Sequence, residues 1–229
     1  MSTMRIAPRR YVSRRRARRV PLVLGVAGVL VVALAVITWF VTTSVTSGPG
    51  QAGNTTPAHS TPRADWRAGE TPFLYQTDPQ WADHPYAGGT IEKNGCGPTC
   101  LSMVYVALTG RGDLDPAAMA DFAERGGYAV DGMTAWALMT EGAAGLGLAS
   151  EELPASPGSV REALLAGGPV ICSVGPGDFT TTGHFIVLAG LTEDGEVVVH
   201  DPNSAERSGR AWDLERVLGQ CLNLWAFSA

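Results

Sequence analysis

Residues 95–110 read GCGPTCLSMVYVALTG. Pro98 suits the first turn of a helix and Gly110 suits its end, so this stretch is predicted to be helical. Cys96 stands between two glycines at the start of that helix, where the backbone leaves room for a substrate to approach. A helix N-terminus carries partial positive charge and unpaired N–H groups, which favour the nucleophilic thiolate. A buried structural cysteine is the alternative interpretation.

The sequence on the C-terminal side of this stretch contains further helices and then strands. The segment DPAAMADFAERGG predicts a helix capped by Asp115, with Pro116 in its first turn and Gly126 as the C′ residue. Two more helices are predicted in TAWALMTEGAAG and SVREALLAGG. After Gly168, the runs PVICSVG, HFIVLAGL, EVVVHD and NLWAFS predict strands, as does TPFLYQTDPQW up to Gln76 on the N-terminal side. Helices followed by an antiparallel sheet indicate an α+β fold.

Two polar residues lie at the ends of neighbouring predicted strands. His184 opens HFIVLAGL, and Asp201 directly follows VVVH. If these strands pair through a hairpin turn at residues 193–195, both residues lie at the same end of the ladder. A carboxylate beside an imidazole fixes its tautomer and stabilises imidazolium, which is the third role in a Cys–His–acid arrangement. Taken singly, they could be a strand-end histidine and a turn-starting aspartate.

The segments YQTDPQW, GCGPTCLSMV, GHFIVLAG and VVVHDPNS occur in this order, and together they resemble the C39-like cysteine peptidases of the papain-like fold. The resemblance covers essentially all of residues 71–229. It implies that Cys96 is the nucleophile, His184 the general base and acid, and Asp201 the orienting acid. It also implies that Gln76 donates a hydrogen bond to the oxyanion.

Two features depart from the peptidase domains of bacteriocin exporters. Gln76 lies 20 residues before Cys96 rather than a few, so the intervening loop must bring it back. Asn94 is an alternative oxyanion or pocket residue, although a turn residue is the simpler interpretation. No G-x-x-x-x-G-K-[ST] motif of an ATP-binding cassette follows, so cleavage after a double-glycine leader is not implied.

The N-terminal part of the chain predicts a membrane anchor. Residues 1–19 contain eight arginines and no acidic residue, and residues 20–41 contain no charge. Those 22 residues span roughly 33 Å as a helix, enough for the hydrocarbon core. The positive-inside rule places residues 1–19 in the cytoplasm and the C-terminal domain outside the cell membrane. A cleaved signal peptide is the alternative. Residues 42–70 predict a disordered Ser/Thr/Gly/Pro-rich linker before the domain at 71–229.

The charge and the cysteine content restrict the classes of function that the domain can have. Residues 71–229 hold 7 basic and 20 acidic side chains, which argues against nucleic-acid binding. The cysteines lack zinc-site spacing, and pairing among Cys100, Cys172 and Cys221 is open. We therefore expect a membrane-anchored extracytoplasmic cysteine peptidase that acts on peptides or proteins through a thioester acyl-enzyme and needs no metal or cofactor. A cell-wall peptide amidase, a transpeptidase and a tethered binding module are the alternatives. The oligomeric state is not predicted.

Overall fold

The computed structural model describes residues 58–229. The predicted cytoplasmic segment, the predicted transmembrane helix and the linker up to residue 57 lie outside the described residues. Within residues 58–229, no helix is long and apolar enough to cross a membrane.

The described part of the chain combines helices with antiparallel strands. Its α-helices are α1 (Ile91–Asn94), α2 (Cys96–Thr109), α3 (Pro116–Arg125), α4 (Glu141–Gly145), α5 (Pro157–Leu165), α6 (Ala205–Ser208) and α7 (Leu214–Leu218). Its strands are β1 (Pro85–Tyr86), β2 (Gly89–Thr90), β3 (Ala129–Val130), β4 (Met133–Thr134), β5 (Ala149–Glu152), β6 (Val170–Val174), β7 (His184–Leu191), β8 (Val197–His200), β9 (Ala211–Trp212) and β10 (Cys221–Ser228). Two 3-10 helices span Arg63–Asp65 and Trp136–Met139.

Six strands form one antiparallel sheet in the order β5-β10-β6-β7-β8-β9. The α+β class is therefore confirmed, as are the four strands predicted after Gly168. The turn between β7 and β8 includes Gly195, whose φ of +80° places it in the left-handed region that glycine adopts freely. Because β7 and β8 pair with Val187 opposite His200, the start of β7 lies beside the chain that follows β8.

Side chains alternate between the two faces of the sheet, and each face has its own apolar cluster. Ile171 and Trp225 pack on the face that α2 and α3 cover. Cys172 and Leu224 pack on the opposite face with α5 and α7. Because successive residues of a strand point to opposite faces and both faces are buried, the strands are rich in apolar residues throughout.

Helix α2 lies against β7, and it begins and ends where the sequence predicts. Gly110 closes it with a φ of +68°. A Cβ at Gly97 would come within 2.6 Å of the Thr134 side chain, so glycine permits the close approach of β4 to the first turn. This packing places Cys96, the first residue of α2, near the beginning of β7.

Three local predictions need correction. The segment TAWALMTEGAAG is not one helix, because Thr140 leaves helical geometry (φ −116°, ψ −81°) and separates a 3-10 turn from α4. Gln76 does not end a strand; its backbone N–H donates to the Pro202 carbonyl at 2.7 Å instead. Asp115 caps α3 as predicted, but the positive φ after α3 belongs to Gly127 and not to Gly126.

Residues 58–70 belong to the folded domain, so the prediction that they continue the linker is wrong. Trp66 is only 8% exposed and lies in the same cluster as α2. The Ser60 N–H donates to the Asp78 carboxylate at 2.7 Å, and the Gly69 N–H donates to the Ala107 carbonyl at 2.7 Å. The polar composition of this segment predicted disorder, but one buried tryptophan and a few hydrogen bonds are enough to order it.

Candidate active site

Cys96 and His184 face each other across the junction of α2 and β7. The Cys96 thiol and the His184 imidazole are close enough for each to shift the pKa of the other, and the N–H groups of Phe185 and Gly97 also lower the pKa of the thiol. His184 occupies the first position of β7, opposite Val174, the last residue of β6. The helix start and the strand start therefore meet at one point.

Asp201 lies on the other side of the imidazole. The Nε2 of His184 and the Oδ1 of Asp201 are 2.8 Å apart. Because Asp201 occupies Nε2, Nδ1 is the ring nitrogen left for the Cys96 sulfur. The side chain of His184 is 6% exposed and that of Asp201 is 0% exposed. The structure thus brings Cys96, His184 and Asp201 together in one chain of contacts, in the order that the sequence predicts.

Asp201 has a second charged partner that the sequence did not predict. The Nε of Arg207 donates to its Oδ2 at 2.5 Å, and the Asn203 N–H donates to Oδ1 at 2.8 Å. The N–H of Asp201 itself donates to the Ser208 hydroxyl at 2.9 Å. Arg207 comes from α6, directly after the turn that Asp201 begins, so these contacts hold the carboxylate in place. Arg207 lies only six residues after Asp201, and this short separation was the one feature of the sequence that could have indicated the contact.

The contacts shift the pKa values of the three side chains in complementary directions. Burial raises the pKa of the Cys96 thiol, but the hydrogen bond and charge of His184 outweigh it, and the net shift is downward. Burial lowers the pKa of His184, but hydrogen bonds to Asp201 and Cys96 reverse this and raise it to about 9. Burial raises the pKa of Asp201, but the contacts with His184 and Arg207 lower it by more, so the net shift is downward. These directions favour the thiolate–imidazolium pair over the neutral thiol–imidazole pair, beside an ionised Asp201 carboxylate.

Gln76 is buried beside α1 and does not line the cleft that contains Cys96. Its Nε2 donates to the Glu92 carbonyl at 2.7 Å and makes a longer contact of 3.3 Å with the Ile91 carbonyl. Its Oε1 is buried and has no hydrogen-bond partner among the described residues. Asn94 donates to the Ala87 carbonyl at 3.1 Å and therefore fastens the β1–β2 turn.

The two glycines beside Cys96 serve packing more than substrate access. A Cβ at Gly95 would lie 2.7 Å from the Ile91 carbonyl oxygen, and Gly97 is filled by Thr134 as described above. The expectation that both glycines leave space for a substrate is therefore wrong. Access to Cys96 comes from a side that neither glycine lines.

That side is an open cleft of about 640 Å³. Cys96 and His184 lie in it, between the β3–β4 hairpin and the loop that leads into β7. Its other lining residues are Lys93, Asn94, Gly132, Met133, Thr134, Ala135, Trp136, Ser173, Thr182, Gly183, Phe185 and Leu222. The loop before β7 does contribute to the cleft wall, through Thr182 and Gly183. A second surface depression of about 500 Å³ beside β5 lies away from these residues.

The remaining histidines and cysteines are placed elsewhere. His200, adjacent to Asp201 in sequence, donates from Nδ1 to the Pro72 carbonyl at 3.2 Å and stacks on Phe73. All four cysteines are free thiols; Cys100 and Cys172 are fully buried. Among residues 58–229, no group of three or more histidine, cysteine, aspartate or glutamate side chains could hold a metal ion.

An α+β domain with a cysteine at a helix N-terminus, facing a strand-borne histidine and an aspartate, has the architecture of a cysteine-peptidase-type domain. A family model, the Peptidase_C39 like family, matches residues 70–226. The chain belongs to this family, and the resemblance found in the sequence is confirmed. No curated protein matches the chain.

Proposed function

We propose that this chain is a cysteine peptidase in which Cys96, His184 and Asp201 form the catalytic triad. The observation that carries the proposal is the arrangement of a partly exposed thiol, a buried imidazole and a buried carboxylate, with the thiol and the imidazole lining an open cleft. A buried structural cysteine would have a raised pKa, as Cys100 has, because burial disfavours the thiolate. Cys96 shows the opposite direction, which suits a nucleophile.

In the acylation step, the Cys96 thiolate attacks the carbonyl carbon of a peptide bond, and the carbonyl electrons move to the oxygen. The oxyanion then collapses, the C–N bond breaks, and His184 gives its proton to the departing amine. The product is a thioester at Cys96 with a neutral imidazole. His184 next takes a proton from water, hydroxide adds to the thioester, and release of the acid returns thiolate and imidazolium.

Two donors are suited to hold the oxyanion. The Cys96 N–H belongs to the first turn of α2, where no intrahelical acceptor is available. Gln76 now donates to the Glu92 and Ile91 carbonyls, so its planar amide must rotate as a unit before an N–H can reach the oxyanion. Loss of a single oxyanion donor typically costs about 10²–10³ in kcat.

We also propose that residues 20–41 anchor the protein in the cell membrane. The uncharged stretch 20–41 after eight arginines supports a single-pass protein whose domain faces outward. Protease added to intact spheroplasts should then digest the domain and leave residues 1–19 protected. A soluble mature chain that starts within residues 42–57 would contradict the anchor and support a cleaved signal peptide.

Activity is tested with purified domain and a peptide mixture, using Cys96→Ala and a matched control. Cys221→Ala is that control, because Cys221 is a second partly exposed thiol and does not line the cleft. Hydrolysis should disappear in Cys96→Ala and persist in Cys221→Ala. Hydrolysis that survives without Cys96 would refute the proposal, whereas the absence of hydrolysis in the unaltered domain would leave the binding-module interpretation.

A further inference from the structure

The cleft around Cys96 has an apolar rim, defined here as Met133, Trp136 and Leu222. These residues are 68%, 46% and 63% exposed, respectively. They make up half of the six large hydrophobic side chains that are exposed among the described residues. Exposed apolar side chains that gather at one place mark a binding surface, whereas scattered ones carry no such meaning.

Trp136 is held in a fixed orientation before any ligand arrives. Its Nε1 donates to the Ser173 hydroxyl at 3.2 Å, and its ring meets Trp225 edge-on at 5.7 Å. Ser173 pairs with Phe185, the residue after His184. The indole is thus attached to the strands that carry the site, so its exposed face is a preformed platform and little order is lost when it binds.

The two other rim residues approach from opposite walls. Met133 follows the tight turn at Asp131 and Gly132, both with positive φ, in the β3–β4 hairpin. Leu222 comes from β10 and lies against Gly175, the residue after β6. Cys96 and His184 share this cleft with both walls. A side chain that touches the rim therefore belongs to a residue close to the scissile bond.

Charge supports an apolar occupant. Residues 71–229 hold 20 acidic side chains, yet no acidic residue lines the cleft. Lys93 is the one lysine or arginine in the lining. Because no acidic side chain lines the cleft and the three rim side chains are apolar, burial of apolar surface is the main interaction that the rim can offer.

We propose that the apolar rim binds a large apolar side chain of the substrate, within two residues of the scissile bond, and so directs cleavage to apolar sequences. This inference rests on the proposed peptidase activity and names the substrate class of that site. A site of this kind separates a leucine-containing peptide from its serine analogue by about tenfold or more in kcat/KM.

The test uses a peptide library prepared from a bacterial proteome and counts the residues on both sides of every Cys96-dependent cut. Leu, Met, Phe, Tyr and Trp should be enriched at one position within two residues of the cut. The double variant Met133→Asp/Leu222→Asp should lose that enrichment and gain Lys and Arg at the same position. Leu165→Asp is the control, because Leu165 is 78% exposed and lies outside the cleft; it should keep the apolar enrichment.

The two ideas fail differently. Cys96-dependent cuts without apolar enrichment, or enrichment that the double variant retains, would overturn the rim inference and leave the peptidase standing. If Cys96→Ala abolishes no cleavage, the proposed function falls and the inference falls with it.

Discussion

Replacing His184 by alanine should turn Cys96 into an unreactive thiol near neutral pH. Burial alone raises the pKa of Cys96, and the hydrogen bond and charge of His184 are the largest opposing contributions. In the variant, only the Phe185 and Gly97 N–H groups still favour the thiolate. We therefore expect the pKa of Cys96 to rise above its ordinary range of about 8.5.

The magnitude follows from the pKa of His184. It is raised from 6.5 to about 9, which corresponds to about 3 kcal/mol of net stabilisation of the imidazolium after the opposing effect of burial. The raised pKa of His184 and the lowered pKa of Cys96 both favour the ion pair over the neutral pair. Without His184, alkylation at pH 6–7 should slow by at least about tenfold, since one pKa unit is a factor of ten. The difference should shrink towards pH 10, where the thiolate forms without help.

The assay is the rate of iodoacetamide alkylation of Cys96 from pH 4 to pH 11, followed by mass spectrometry of the Cys96-containing peptide. His200→Gln is the matched control, because His200 is also buried but contacts Pro72 and Phe73 instead of the thiol. Burial lowers the pKa of His200 to about 4, so His200 is neutral over nearly all of the tested pH range. An unchanged profile in His184→Ala, or an equal change in His200→Gln, would refute the reasoning.

Three further changes separate roles within the domain. Arg207→Met should lower the free energy of unfolding by about 1–3 kcal/mol at pH 7 in urea titrations, because it removes a partner of the buried Asp201 carboxylate. Since the pKa of Asp201 is lowered despite burial, this loss is present at neutral pH and fades as acid protonates the carboxyl. Trp66→Ala should cost about 3–5 kcal/mol of stability by the same measurement; a value near zero would show that the segment before residue 71 does not hold the fold. Gln76→Ala should reduce kcat by about 10²–10³ with little change in KM; equal kcat in the variant would remove Gln76 from the oxyanion site.

Much of the site was predictable because its geometry follows from local rules. Pro98 and Gly110 mark the ends of α2, so the start of the helix, and with it Cys96, could be placed from sequence. His184 and Asp201 could be brought together because residues on two strands of a hairpin can be counted outward from its turn. The bulge between Leu188 and Gly190 changes the register without separating them.

The parts that sequence reasoning missed depend on tertiary contacts. Ser, Thr, Gly and Pro dominate residues 42–70, and no local pattern shows that Trp66 is buried against α2. Strands β3 and β4 have only two residues each, so they carry no readable alternation. The apolar rim also depends on tertiary structure: Met133 and Leu222 are distant in sequence, and only the fold brings them to the same cleft.

The charges of the site explain why the thiolate form of Cys96 is favoured. Buried charges are stable only when they are paired, and the Asp201 carboxylate is already balanced by Arg207. Protonated His184 would then leave one uncompensated positive charge in a buried cluster, and the Cys96 thiolate is the group that cancels it. In the proposed mechanism, acylation removes the negative charge from sulfur, and His184 gives its proton to the leaving amine. The cluster is therefore neutral before and after the chemical step, and the protein need not rearrange around a new buried charge.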